Sequence, residues 1–167
     1  MLKSTAITER NSMEIKFMRE ALKQAKKALT VSEMPVGAVI VRNGEIISRA
    51  YNKREIKGNA ILHAEMIAIE KACKKIGGWR LTGCEMYVTL EPCPMCSGAI
   101  LNSRLEHVYY GAADSKYGCC GSRMNLLDMN LCNHTVPVEG GIMEEECSAV
   151  IKEFFKILRG REKRRFE

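Results

Sequence analysis

Residues 85–96 read Glu-Met-Tyr-Val-Thr-Leu-Glu-Pro-Cys-Pro-Met-Cys, and the order of residue types in this stretch sets the architecture. From Glu85 to Leu90 the side chains alternate with the two-residue period of a strand. Pro92 cannot donate to a sheet ladder and breaks the strand. Pro94 suits the first turn of a helix, where its missing N–H would have no partner in any case. The helix that it opens reaches Arg104, and His107–Gly111 reads as the next strand.

Working upstream, Val36–Val41 and Glu45–Tyr51 flank Asn43-Gly44, a strong hairpin signal. Asn11 with Glu14 three positions on resembles a capping box. It opens a helix whose apolar positions Ile15, Met18, Leu22, Ala25 and Leu29 step by three and four until Pro35 ends the segment. A second helix is expected from His63 to Ile76, punctuated by Gly77-Gly78. Downstream lie a Gly- and Cys-rich loop from Ala112 to Ser122 and a short apolar stretch around Met124–Leu127. A fifth strand is expected at His134–Val138. The last helix, Met143–Arg159, carries Val150, Phe154, Ile157 and Leu158 at helical spacing, with Gly160 as its stop. Because Phe154 and Phe155 are adjacent, at least one of them is expected in the core. Strands alternating with helices after an initial hairpin predict a three-layer α/β/α domain on a central mixed five-stranded sheet. The expected organisation is a flexible leader over 1–11, one domain over 12–160 and a basic tail over 161–167.

Composition bounds what such a domain can be. At 167 residues there is room for one sizeable core, and 46% hydrophobic with 28% charged residues is ordinary for a soluble globular chain. No apolar run approaches the roughly 20 residues that cross a bilayer, and the first dozen residues lack the apolar core of a secretory signal. The eight cysteines are therefore expected as free thiols or metal ligands in a reducing cytoplasm, with Cys119-Cys120 read as two unrelated thiols. The net charge of +6 is concentrated at two places. Residues 14–27 set Lys16, Arg19, Lys23, Lys26 and Lys27 against Glu14 and Glu20, and residues 152–167 set seven basic residues against Glu153, Glu162 and Glu167. Basic helices favour polyanions, but a solvated face and a solubilising tail account for the same charges.

Two short motifs stand at element boundaries: His63-Ala64-Glu65 opens a helix, and Pro92-Cys93-Pro94-Met95-Cys96 joins a strand to a helix. Cysteines three apart in a first helical turn can turn both sulfurs to one side, where the helix N-terminus favours thiolates. Two thiolates and one imidazole supply three zinc ligands and leave the fourth position open, the mark of a catalytic site. Zinc lowers the pKa of a coordinated water to about 7, against 15.7 in bulk. Glu65, two residues from the ligand His63, is placed to carry protons without binding the metal. A CxxC alone is a weak signal, shared with redox and structural zinc sites. A structural site needs a fourth ligand, which Cys84 or His107 could supply. A redox reading leaves His63-Ala64-Glu65 unexplained, whereas the joint H-x-E and P-C-x-x-C pattern matches the signature of zinc-dependent nucleobase deaminases.

The run Met34-Pro35-Val36-Gly37-Ala38-Val39-Ile40-Val41, then His63-Ala64-Glu65, then Tyr87 through Ile100 resembles the cytidine deaminase-like superfamily. Gly111-Ala112-Ala113-Asp114-Ser115-Lys116, Gly118, Gly121-Ser122, Asn133-His134, Glu146-Cys147 and Phe154-Phe155 ahead of a basic tail look like the bacterial tRNA-specific adenosine deaminases. The resemblance extends over Met13–Arg165. It departs at Ile61-Leu62, where a small or hydroxylated pair is expected, at Cys119-Cys120, and at the bulky Tyr117. The resemblance implies conversion of adenosine to inosine at the wobble position of tRNA anticodons, by a cytoplasmic homodimer with one zinc per subunit. It further implies that Asn52 and Ala64 hold the target nucleoside. Asp114 and Lys116 belong to the loop that meets the anticodon backbone, and Phe154 or Phe155 to the helix that closes over the RNA. The implied partner is a tRNA anticodon stem-loop, with no DNA and no membrane. Each position also has a plainer reading: Asp114 as a turn residue, Lys116 as a solvated lysine. A deaminase of a free guanine- or cytosine-type base would share every zinc residue, and a non-catalytic zinc-stabilised RNA-binding module would dispense with Glu65.

Overall fold

A computed structural model describes residues 2–129 and 133–163, with side chains described over 12–129 and 133–161. The elements in chain order are α1 (Leu2–Thr30), β1 (Gly37–Arg42), β2 (Glu45–Tyr51), α2 (Arg54–Lys57), α3 (Ala64–Ile76), β3 (Cys84–Leu90), α4 (Pro94–Ser103), β4 (His107–Ala112), β5 (Val138–Glu139) and α5 (Glu144–Lys163). The five strands form one sheet in the order β2-β1-β3-β4-β5. β1 runs antiparallel to β2 and β3, while β3, β4 and β5 are mutually parallel. This is the mixed sheet of the expected three-layer α/β/α fold.

The strand pattern shows why two helical layers are needed. Along β1, Ala38 and Ile40 face a cluster with Ala64, Ile67, Ala68 and Ala72 of α3 and Ile100 of α4. The intervening Val39 and Val41 face a second cluster with Phe17, Met18, Ala21 and Leu22 of α1 and Val150 of α5. A strand apolar on both faces must be covered on both, and each fully buried Phe, Met or Ile contributes roughly 1.5–3 kcal/mol. The β1–β2 hairpin turns at Asn43 (φ 51°) and Gly44 (φ 76°), the left-handed pair of a type I′ turn.

The end of α1 turns the chain back toward the core. Ser32 N–H donates to Leu29 O at 3.1 Å and Glu33 N–H to Ala28 O at 3.0 Å, the paired bonds of a Schellman motif. Ser32 occupies its left-handed position, with φ 60°. The turn sends the next side chain, Glu33, into the interior, where it is 0% exposed.

Several element expectations are corrected. Backbone helix begins at Leu2, not at Asn11, so the stretch expected as a leader continues α1; it holds no Gly or Pro and several good helix formers. Asn11's side chain lies outside the described residues. The buried face of α1 is Phe17, Met18, Ala21, Leu22, Ala25 and Ala28, and Ile15 is exposed. β5 is only Val138–Glu139, because Pro137 has no N–H to donate to a ladder. α5 runs through Gly160 to Lys163; a solvated helical glycine costs only about 1 kcal/mol, too little to end the helix. The short α2 has no counterpart in the sequence pattern. Neither phenylalanine of α5 is core: Phe154 is half-buried and Phe155 is 47% exposed. Cys119 and Cys120 are both buried free thiols, whereas Cys132 and the last residues of the basic tail (164–167) lie outside the described residues. Among the described residues no helix is long and apolar enough to cross a membrane.

Candidate active site and metal centre

Two helix N-termini meet where β3 ends. Cys93 caps α4 from an extended conformation, with Pro94 in the first turn, which leaves Cys96 one turn on. His63 caps α3, also extended, and Glu65 comes next in its first turn. His63 Nδ1 lies 3.7 Å from Cys93 Sγ and 3.5 Å from Cys96 Sγ, and the three donor atoms fall within 4.8 Å of one another. A tetrahedral centre with Zn–N of about 2.0–2.1 Å and Zn–S of about 2.3 Å keeps its nitrogen and sulfur ligands about 3.6 Å apart, so this donor set fits zinc. Cys84 and His107 do not join it: they open β3 and β4, whereas the site lies beyond the end of β3. The fourth-ligand reading is thereby excluded.

Electrostatics match the donor chemistry. Cys93 is brought down to about 4 by its hydrogen bond with Cys96, against the cost of burial and with help from His63. Cys96 is pushed up by the same hydrogen bond and by burial; a zinc ion held by both sulfurs would keep both as thiolates. The hydrogen bond with Cys93 raises His63. Burial raises Glu65, whose carboxyl also meets the Cys96 sulfur.

His63, Glu65 and Cys93 lie in the wall of a cavity of about 910 Å³, within the range of small-molecule sites, with Cys96 buried behind them. Asn52, His63, Glu65, Cys93, Asp114, Phe154 and Phe155 all line it. Ala64, wholly buried between His63 and Glu65, and Lys116, on the exposed loop, do not. Asp114 Oδ1 accepts hydrogen bonds from the N–H groups of Lys116 (2.9 Å) and Tyr117 (3.1 Å). It is a turn residue and a cavity residue at once.

Several contributors lie outside the expected site residues. Tyr117 and Arg161 line the cavity, and Arg161 Nη1 donates to Ser32 Oγ at 3.1 Å, tying the end of α5 to the end of α1. Two buried carboxylates stand behind the wall or within it. Glu91 accepts hydrogen bonds from the N–H groups of Asp114 (2.9 Å), Cys120 (3.0 Å) and Ser122 (2.9 Å) and from the Ser122 hydroxyl. Glu33 accepts from Asn52 Nδ2 and from three backbone N–H groups. In the chain, an acidic residue just before a helix- or strand-breaking proline segment reads as solvated.

The cytidine and deoxycytidylate deaminase zinc-binding region matches residues 11–112. A tRNA-specific adenosine deaminase of Bacillus subtilis (strain 168) is 53% identical over 147 residues, 88% of this chain and 91% of that protein. The corresponding protein of Aquifex aeolicus (strain VF5) is 48% identical over 143 residues, 86% of this chain and 94% of its own length. A solved structure from a study of A-to-I editing by tRNA:A34 deaminases at the wobble position superposes with a TM-score of 0.78 at 38% identity, covering 81% of this chain and 98% of that one. With a matching family model over most of the fold and relatives of this identity along nearly their whole length, the chain belongs to the zinc-binding cytidine and deoxycytidylate deaminase family, among the tRNA-specific adenosine deaminases.

Proposed function

We propose that this protein hydrolyses adenosine to inosine at the wobble position of tRNA anticodons, with the anticodon stem-loop as its partner. The observation that carries the reading is a His63–Cys93–Cys96 centre with Glu65 beside it, at the wall of a cavity lined also by Phe154, Phe155 and Arg161 of α5. A flipped nucleotide needs stacking faces and a cation for its phosphates as well as a polar pocket, and a free base needs only the pocket. A cytoplasmic location belongs to the same proposal on the strength of the relatives' tRNA substrate, and a homodimer on the family resemblance.

His63, Cys93 and Cys96 would hold zinc, which when bound supplies the Lewis acidity that makes water nucleophilic at neutral pH. Water adds to C6 of the purine, and Glu65 takes its proton and delivers it to N1. The second water proton passes through the same carboxylate to the exocyclic nitrogen. The C6–N bond then breaks, ammonia leaves, and the water oxygen remains as the carbonyl of inosine. Glu65 serves both transfers because it is buried beside the ligands and carries no structural ion pair among the described residues. Asn52 would hold the nucleoside, with Ala64 buried behind the wall between His63 and Glu65. Asp114 and Lys116 would meet the RNA backbone.

Incubating the zinc-loaded protein with an adenosine-containing anticodon stem-loop beside free adenosine, guanine and cytidine tests this. Inosine formed only in the RNA supports it; deamination of a free base alone would keep the chemistry and overturn the substrate.

A further inference from the structure

Glu33 does not line the cavity, yet it is the most completely enclosed carboxylate near it, 0% exposed. Its two oxygens are divided between two tasks. Oε1 accepts from Asn52 Nδ2 at 2.9 Å and, more weakly, from Met34 N–H at 3.3 Å. Oε2 accepts from the N–H groups of Glu55 (2.9 Å) and Ile56 (3.1 Å), which belong to α2. Asn52 and Glu55 both line the cavity, so one buried side chain fastens two parts of its wall.

The chemistry of the pair fixes more than distance. Both Glu33 oxygens accept from backbone N–H groups, so each acts as an acceptor and Asn52 turns its NH2 group toward Glu33. The flipped amide would set Oδ1 against a Glu33 oxygen and leave two buried acceptors facing each other. Asn52 is itself 5% exposed, and its backbone N–H is bound to Val36 O at 3.0 Å, so the main chain cannot relax to accommodate the flip. One amide orientation remains. The cavity therefore shows a nucleobase one fixed order of donor and acceptor at Asn52.

We propose that Glu33 is a positioning residue for the base: by orienting the Asn52 amide it determines how a purine nucleoside's polar edge is held against Glu65 and the metal ligands. The proposal rests on the deaminase reading above. It accounts for a buried carboxyl group with no cation among its hydrogen-bond partners described, and for the Schellman turn that delivers it.

The test is a double-mutant cycle on the zinc-loaded protein with the adenosine stem-loop, reading kcat, KM, zinc content and thermal midpoint. Glutamine at 33 can accept from Asn52 or donate to it, so Glu33→Gln permits both amide orientations. It should lower kcat by about 10- to 100-fold, the scale of a misplaced substrate, and leave KM within about threefold because phosphate contacts dominate RNA affinity. In the Asn52→Ala background the same substitution should cost less than about threefold, since the residue it acts through is gone. Equal losses in both backgrounds, or unchanged kcat in Glu33→Gln, would overturn the proposal. If Glu33→Gln does not fold, Asn52→Asp sets a carboxylate against Glu33 and should lose at least as much kcat as Asn52→Ala; wild-type turnover there would also overturn it. Wild-type turnover of the stem-loop is the separate test of the function itself, and a protein that deaminates only a free base carries the cycle on that substrate.

Discussion

Glu91 accepts a hydrogen bond from the backbone N–H of Asp114 at 2.9 Å, so the residue two before a metal ligand holds the first turn of the loop beside it. The same carboxylate binds Cys120 and Ser122, and a Cβ on Gly118 would lie 2.3 Å from its Oε2. The loop is wrapped around one buried side chain.

Removing that side chain should release the loop. Glu91→Ala leaves three backbone donors without their acceptor, each costing about 1–3 kcal/mol if it stays buried. We expect a stability loss of about 3 kcal/mol or more by denaturant unfolding, and new tryptic cleavage after Lys116. A loop as protected as in the parent protein would refute the clamp.

Glu65→Ala should keep its zinc and its fold while turnover falls by at least about 10²–10⁴-fold, the contribution of a general acid–base group. Metal analysis and stem-loop deamination measured on the same sample decide it. Near-normal turnover would remove Glu65 from the mechanism.

Cys93→Ala takes away the ligand held as thiolate at about 4. The purified variant should contain less than a tenth of the parent's zinc, a loss of roughly the 10- to 100-fold that even a supporting residue of a metal site commands. Full zinc occupancy would show that another group completes the site.

Gly37→Ala tests the packing of α1 on β1. The added Cβ would lie 2.0 Å from Ala21 O and 2.5 Å from Ala25 N, both backbone, so the helix must move. The cost belongs at the upper end of the about 1–3 kcal/mol of overpacking, and because Gly37 N–H also bonds Thr89 Oγ1 at 3.1 Å, activity should fall with stability. A thermal midpoint unchanged from the parent would contradict this contact.

Burial pushes the Cys147 thiol from 9.0 up to about 12, and the neutral form is favoured in the folded protein. Between those values the unfolded chain has lost a proton that the folded chain keeps, so stability falls as pH rises. Below about 9 the contribution is constant. Thermal midpoints from pH 8 to 11 should therefore drop more steeply for the parent than for Cys147→Ala. Parallel curves would exclude Cys147 as the source.

Much of this molecule is legible in the chain because its determinants are local. Asn43-Gly44 specifies a tight turn, Pro92 and Pro94 specify where a strand becomes a helix, and the spacing of Cys93 and Cys96 places two sulfurs on one helical turn. His63 and Glu65 mark the partner motif. Gly160 misled, because a single glycine in a solvated helix loses too little to stop it. Pro137 shortened β5 for the opposite reason, since a missing N–H cannot be compensated within a ladder. The opening of α1 at Leu2 escaped because a capping pattern can occur inside a helix as well as at its start.

The sequence by itself pointed to the order of the main strands and helices and to the cluster of His63, Cys93 and Cys96 that the fold brings together, since each depends on residue type and short spacing. Only the tertiary structure decided what stands behind them. Glu33 and Asn52 are separated by 19 positions and Glu91 and Asp114 by 23. Arg161 and Ser32 are separated by 129. An acidic residue in a chain reads as solvated until the fold closes over it, and its partners are then set by which backbone N–H groups the sheet and turns deliver, a matter of three-dimensional geometry that no local spacing encodes.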